Sequence, residues 1–347
     1  MATKVNGSSG KDLDGGAVTI LDLARELRLS KTTVADALAG SGRVSTETRD
    51  RVRELAEKWG YVSNRAARSL RTRSTGALGL YVPPTVRTAP FYMEFALGGA
   101  ERAASAGFDL TLFAQRPARR RDFGVDGAVV IDMSAADELP RQLVAAGVPV
   151  VAAGRILGHE GEHAVIETPD REMAHQMFEL MRSRGARRIA FVTPLHDFAV
   201  AWAVDVSEAY VAWCGQADQE VLMRSISVAA TDTELAAAID EVVRIPGVDA
   251  LVLAAEGWAA RAKPMLTAHG VDVGGSFQLG SLAGDPLTDG ADAAISRVDL
   301  GARAFGVDAF DLLLDILSGA ADRAAVRVHP ARLVPASVHP GAARRDD

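Results

Sequence analysis

Apolar residues recur at helical spacing in three short segments near the start of the chain. Ile20, Leu23, Ala24 and Leu27 share one face. Thr19 stands where a cap is needed and Asp22 follows three residues on, the spacing of a capping box. Arg28, Leu29 and Ser30 predict a tight turn. Ser30 caps a second helix over 31–38, with Val34, Ala37 and Leu38 inward and Lys31, Thr32, Thr33 and Asp36 outward. Ser45 caps a third, in which Val52, Leu55, Ala56 and Trp59 repeat until Gly60 stops it.

Past Gly76 the pattern changes to short apolar runs alternating with amphipathic stretches. Strands are expected over 78–82, 109–113, 126–131 and 148–151, with helices over 91–106 and 140–146 between them. The order then restarts near residue 167. Helices are expected over 170–184, 206–214, 235–243 and 259–269, and strands over 188–192, 225–228, 250–253 and 277–280. Such alternation predicts parallel sheets covered by helices on both faces, and the restart predicts two similar lobes. A long helix over 300–317 would return to the first lobe.

Charge sharpens this division. The 347 residues carry a net charge of −7, which argues against a nucleic-acid binder until it is divided along the chain. Residues 17–75 hold twelve Lys and Arg against seven Asp and Glu, a balance of +5, which leaves −12 on the rest. A basic head on an acidic body is an electrostatic footprint of DNA binding. The single cysteine, Cys214, has no disulfide partner and reads as a small apolar residue in a reducing, cytoplasmic setting. No apolar run reaches the roughly 18 residues of a membrane span. Residues 1–16, rich in Gly, Ser, Asp and Lys, lack a secretory signal's apolar stretch and read as a disordered arm.

Three short helices with a tight turn between the first two form a helix-turn-helix, although an ordinary three-helix bundle would share the pattern. The start of the second helix fits a major groove about 12 Å wide, where short polar side chains reach base edges. The stretch from Asn64 to Arg71 is basic, with Leu70 set between Ser69 and Arg71. Together, Thr19-x-x-Asp22-x-Ala24, Leu29-Ser30-x-x-Thr33-Val34, Val44-Ser45-x-x-Thr48-Arg49-x-x-Val52, Gly60-Tyr61-x-x-Asn64 and Ala67-Arg68-Ser69-Leu70 resemble the head and hinge of the LacI/GalR regulators.

The resemblance implies that the hinge folds on operator DNA and that Leu70 wedges into a minor-groove step, kinking it. It implies DNA contacts from Thr19, Ser30, Lys31, Thr32, Thr33, Asp36, Arg43, Ser45, Thr48, Asn64, Arg65, Ala67, Arg68, Leu70 and Arg71. It also implies a body of the two-lobed periplasmic-binding-protein-like fold. Two positions depart from the family pattern. Arg28 replaces the usual turn glycine, and Ala35-Asp36 replaces a common Ser-Arg pair, so the operator half-site should differ from the family's commonest one.

The expected organisation is an arm (1–16), a helix-turn-helix domain (17–62), a hinge and linker (63–76), an effector-binding and dimerisation body (77–342) and a polar tail (343–347). Within the body, lobe 1 is expected over 77–166 and 299–327 and lobe 2 over 167–298 and 328–342. Ligands of such folds sit beyond the carboxyl ends of the strands, in the cleft. The candidates there are Phe91, Tyr92, Asp132, His196, Asp197, Phe198, Trp202, Asp205, Glu256 and Trp258. The arginine and aspartate that the family's sugar binders use are replaced near Asp205-Val206 and Ser281-Leu282, which makes a plain sugar a poorer expectation than a nucleobase-like, amine-bearing or more apolar effector.

The expected function is that of a homodimeric repressor of a near-palindromic operator, controlled by a small molecule, with no cofactor, metal or membrane partner. The rival readings are an effector-independent DNA-binding protein with a degenerate pocket, and an enzyme using the α/β body. The sequence holds no Gly-rich phosphate loop, metal-ligand spacing or nucleophile elbow to favour the enzyme.

Overall fold

The computed structural model describes residues 18–40, 44–61, 74–84, 89–113, 123–134, 136–195, 199–284 and 292–337. The chain divides into two compact units between Thr75 and Gly76.

The first unit is built from α1 (Ile20–Leu27), α2 (Lys31–Ala39) and α3 (Thr46–Lys58). Leu23, Ala24, Val34, Ala37, Val52 and Ala56 form its buried centre, flanked by Leu27, Leu29, Leu55 and Trp59. The Asp22 carboxylate accepts the Thr19 N–H at 3.0 Å and the Thr19 hydroxyl at 2.6 Å, fixing the start of α1. The Ser30 and Ser45 hydroxyls accept the N–H groups of Thr33 and Thr48 at 3.0 and 3.3 Å, so each serine satisfies an otherwise orphaned donor. Arg28 ends α1 at φ 53°, ψ 39°, the left-handed region that favours glycine. The turn keeps its shape and carries the strain, about 1 kcal/mol for a non-glycine residue. Arg28→Gly is therefore expected to raise hydrogen-exchange protection of the α1–α2 amides about fivefold. Unchanged protection would show that the turn is unstrained.

The second unit holds two six-stranded sheets. In chain order its elements are β1 (Ala77–Tyr81), α4 (Pro90–Ser105), β2 (Asp109–Phe113), β3 (Gly127–Ile131), α5 (Leu139–Ala145), β4 (Val150–Ala153) and β5 (Ala164–Glu167). Then come α6 (Asp170–Ser183), β6 (Ile189–Pro194), α7 (Ala201–Ala217), β7 (Met223–Ile226), α8 (Asp232–Val243), β8 (Ala250–Leu253), α9 (Trp258–Ala268), β9 (Gln278–Ser281) and β10 (Ile295–Asp299). The last are α10 (Ala302–Ser318), β11 (Val326–Val328) and β12 (Arg332–Val334). The first sheet runs β11-β5-β4-β3-β1-β2, all parallel; the second runs β12-β10-β9-β8-β6-β7, parallel except for the antiparallel β10–β12 pair. Strands β1, β3, β4, β6 and β8 are buried along their whole length, as strands covered on both faces must be. The chain crosses between sheets three times: from β5 to α6, from β10 to α10, and from β11 to β12.

Helix α10 returns to the first lobe and lies tightly on α4. A Cβ on Gly306 would stand 2.0 Å from the Phe95 carbonyl oxygen, and one on Gly98 2.0 Å from that of Arg303. Gly306→Ala is expected to lose about 1–3 kcal/mol by overpacking, read as a lower urea midpoint. A midpoint within error of the parent would mean that the helices can part freely.

Three sequence expectations need correction. Helix α7 starts at Ala201, not 206, because the buried face of Val206, Ala209, Tyr210 and Trp213 continues back to Ala201 without a turn signal. The strands expected over 148–151 and 225–228 lie at Val150–Ala153 and Met223–Ile226. Strands β5, β10, β11 and β12 had no counterpart in the pattern, being three to five residues long and, in β11 and β12, rich in polar or exposed positions.

Candidate functional site

A cavity of about 390 Å³ lies between the lobes of the second unit, at the carboxyl ends of its strands. The first lobe contributes Phe91 and Tyr92 from the start of α4, Asp132 after β3, Gly154 after β4 and Phe305 of α10. The crossover after β5 brings Thr168 and Asp170. From the second lobe come Trp202 and Val206 of α7, Glu256 and Trp258 after β8, Leu282 after β9, and Arg261 of α9.

Asp132 holds a left-handed backbone (φ 49°), and its Oδ2 accepts the Tyr92 hydroxyl at 2.5 Å. Such strain persists only where surrounding structure fixes it, and it clusters at ligand sites. Burial pushes the Asp132 carboxyl up to about 6, against the opposing effect of the Tyr92 hydrogen bond. Tyr92 itself is raised well above its ordinary value by burial, then by the neighbouring charge of Asp132. Gly154 leaves room for this carboxylate, since a Cβ there would stand 3.2 Å from Asp132 Oδ1 at a φ of +87°.

Asp170 Oδ1 accepts the Thr168 hydroxyl at 2.7 Å. Burial raises its carboxyl to about 7, helped by the negative neighbours Asp132, Asp205 and Glu167. Glu256 accepts the Phe91 N–H with both oxygens at 3.1 Å. Pro90 occupies the first turn of α4 and has no N–H, so this carboxylate of lobe 2 occupies the anion-favouring end of a lobe 1 helix. The Arg261 guanidinium donates to Asp232 Oδ1 and to the carbonyl of Ala230, another lining residue, at 2.8 Å each.

The structure thus brings Phe91, Tyr92, Asp132, Trp202, Glu256 and Trp258 to one cavity. His196, Asp197 and Phe198 lie outside the described residues. Asp205 is corrected: it does not line the cavity. Its carboxylate is bound by Arg155, which follows β4 in lobe 1, and by Arg171 at 2.8 Å. Arg155 also reaches Glu167 at 2.7 Å, so one guanidinium ties the first lobe, the crossover and α7 together. Sequence reading missed Asp170, Thr168 and Arg155. Thr168-Pro169-Asp170 stands where β5 passes into α6, and that crossover carries no signal without β5.

In the first unit Lys31 and Thr32 are exposed at the start of α2, whereas Thr33 and Asp36 are half-buried. The hydroxyls of Ser30 and Thr33 are 2.8 Å apart, and those of Ser45 and Thr48 2.9 Å. Thr19 is similarly committed to Asp22. The two exposed side chains are therefore the ones on α2 most open to a partner. Arg43, Asn64, Arg65, Ala67, Arg68, Leu70 and Arg71 lie outside the described residues.

Residues 19–64 match the family model of the bacterial regulatory proteins of the lacI family, and residues 178–337 match that of the periplasmic binding protein-like domain. The HTH-type transcriptional regulator CelR of Thermobifida fusca is 28% identical over 305 residues, which is 84% of this chain and 89% of that protein. The maltose regulon regulatory protein MalI of Escherichia coli (strain K12) is 33% identical over 186 residues, 50% of this chain and 53% of MalI, so the match spans about half of that relative. Among solved structures, a complex of the transcriptional regulator CelR with cellobiose superposes with a TM-score of 0.68 at 24% identity over 92% of this chain and 99% of that one. A lac repressor dimer bound to operator and the anti-inducer ONPF gives 0.76 at 16% identity over 93% and 99%. The chain thus joins a lacI-type DNA-binding domain to a periplasmic-binding-protein-like domain, and its homologues are LacI-family transcription regulators.

Proposed function

We propose that this protein is a homodimeric repressor that binds a near-palindromic operator and is controlled by a small molecule held between the lobes of its body. The observation that carries the reading is the joining, in one chain, of a basic helix-turn-helix domain matching the lacI family to a body with an aromatic, carboxylate-lined cavity of about 390 Å³. Its structural relative CelR is described with a small sugar bound, which supports a ligand-sensing body in general terms. We read the body as a sensor and not a catalyst, because the cavity's carboxylates are held by Tyr92, Thr168 and a backbone N–H instead of being directed at a nucleophile. The protein would act in the cytoplasm, where its DNA is.

Lys31 and Thr32 would meet base edges or phosphates in the major groove, and the hinge stretch with Arg68, Leu70 and Arg71 the minor groove. A two-fold dimer matches a two-fold operator, with half-site centres about one helical turn apart. Footprinting on the DNA upstream of its own gene at fixed salt tests this: a protected near-palindrome of about 15–20 base pairs is expected. Salt-sensitive binding without protection anywhere in that DNA, with or without cellular metabolites, would count against it. Within the footprint, Leu70→Ala should weaken specific binding far more than non-specific binding, since a wedge acts only where DNA is kinked. Equal losses would remove the wedge.

A further inference from the structure

We propose that His329 is a proton-dependent joint between the two lobes: as an imidazolium it pins all three crossovers in the arrangement seen here, and on losing its proton it loosens them. The proposal concerns the body alone and holds whatever the cavity binds. His329 is buried in the third crossover, between β11 and β12. Its backbone N–H donates to the Glu167 carbonyl at 2.8 Å, where the first crossover leaves β5. Its ring Nε2 lies 3.0 Å from the Leu300 carbonyl oxygen, in the second crossover, and its Nδ1 lies 2.6 Å from Asp308 Oδ2 on α10. Pro330 follows directly and biases the His329 backbone towards extended forms.

A carbonyl oxygen only accepts, and so does a carboxylate, so both ring nitrogens must donate here. The imidazolium has two N–H groups; either neutral tautomer turns a lone pair on one of the two acceptors. The ring also stacks on Phe305, with centroids 4.8 Å apart and planes 20° from parallel, a contact that a positive ring strengthens. Among the described residues, Asp308 is the charged group that meets the ring. The charges on the elements around it are held elsewhere. On α10, Arg303 pairs with Glu94 and Glu101, Asp311 with Arg102, and Asp315 with Arg327. In the first crossover Glu167 pairs with Arg155, and Asp170 takes the Thr168 hydroxyl; beside the second, Asp299 pairs with Arg332. Leu300 and Phe305 also line the cavity, so the joint and the cavity share a wall. Lobe motion concentrates its backbone change in a few such crossover residues. A neutral ring would therefore loosen the joint, and the lobe arrangement would answer to pH as well as to the cavity's occupant.

The test is carried out on the full chain without ligand. It combines ring-nitrogen NMR of histidine-labelled protein with hydrogen exchange at the His329 and Phe305 amides, which donate to the Glu167 and Gly301 carbonyls. Parent, His329→Gln and Asp308→Asn are compared from pH 5.5 to pH 8.5. Asp132 and Asp170 also change charge in this range, so the quantity read is the difference between parent and His329→Gln. At pH 5.5 the parent signal that His329→Gln lacks should show both ring nitrogens protonated. Protection of the two amides, corrected for the intrinsic pH dependence of exchange, should fall about threefold by pH 8.5 in the parent. In His329→Gln it should be low throughout. Asp308→Asn keeps an acceptor and drops the counter-charge, so it should move the fall to lower pH; this variant decides the question if His329→Gln does not fold. A neutral ring at pH 5.5 would overturn the proposal. So would protection that stays level in the parent, a fall equal in parent and His329→Gln, or an Asp308→Asn profile identical to the parent's.

Discussion

Asp170→Asn is expected to raise the thermal midpoint of the ligand-free protein by several degrees at pH 8, and by clearly less at pH 5. Burial lifts the Asp170 carboxyl to about 7, whereas an unfolded aspartate titrates near 3.9. Below about pH 4 both states hold the proton and the group is neutral in its effect. Between that pH and 7 the unfolded chain releases its proton while the native state keeps it, so the unfolded state gains. The loss grows by about 1.4 kcal/mol per pH unit and levels off once the native group also ionises. Asparagine removes the charge and keeps the shape, and its amide can still accept from the Thr168 hydroxyl. Asp132, raised to about 6, should show the same sign over a narrower window, although replacing it also disturbs the Tyr92 hydrogen bond. Thermal unfolding of parent and variant across pH 5–8 decides the matter. A constant gap between the two would mean that the Asp170 carboxylate is not desolvated as described.

How much of this was legible beforehand differs from element to element. In the first unit the apolar repeats and the serine caps specified three helices, since both signals are local and each cap has a side chain to mark it. Arg28 was legible as an anomaly, and its left-handed backbone is the physical outcome. In the body the long buried strands announced themselves as continuous apolar runs. Strands β11 and β12 did not, because they are three residues long and pair only after the chain has crossed between lobes. Trp202 and Glu256 could be placed near the cavity because a strand end can be read from sequence. Asp205 was misplaced for a related reason. Proximity to a strand end put it in the candidate set, but its direction depends on the phase of α7, and that helix begins five residues before the expected start. Arg155 gave no signal, since its partner is 50 residues away in the other lobe.

Asp205→Ala is expected to have the larger effect on control. The Asp205 carboxylate is nearly buried, with a side-chain exposure of 10%, and receives Arg155 from one lobe and Arg171 from its own. Both arginines are partly exposed, so water screens the pairs, and the loss on breaking them should fall below the 3–5 kcal/mol of a fully buried pair. Part of that loss is specific to the lobe arrangement seen here, because Arg155 reaches Asp205 only while the two lobes are together. Removing the carboxylate therefore shifts the balance towards open lobes. A ligand that needs both walls of the cavity then binds with an apparent affinity reduced by the fraction of closed molecules. A tenfold weaker apparent affinity corresponds to about 1.4 kcal/mol of lost closure. The Phe91–Glu256 contact should follow in the same direction, since it too spans the lobes. The measurement is ligand titration of parent, Asp205→Ala and Arg155→Ala with operator affinity as the readout, together with small-angle scattering of the free proteins. Both variants should need more ligand for the same change in operator affinity, and both should scatter as more extended molecules. Extended scattering with unaltered ligand response would make the Arg155–Asp205 pair a structural tie without a part in control.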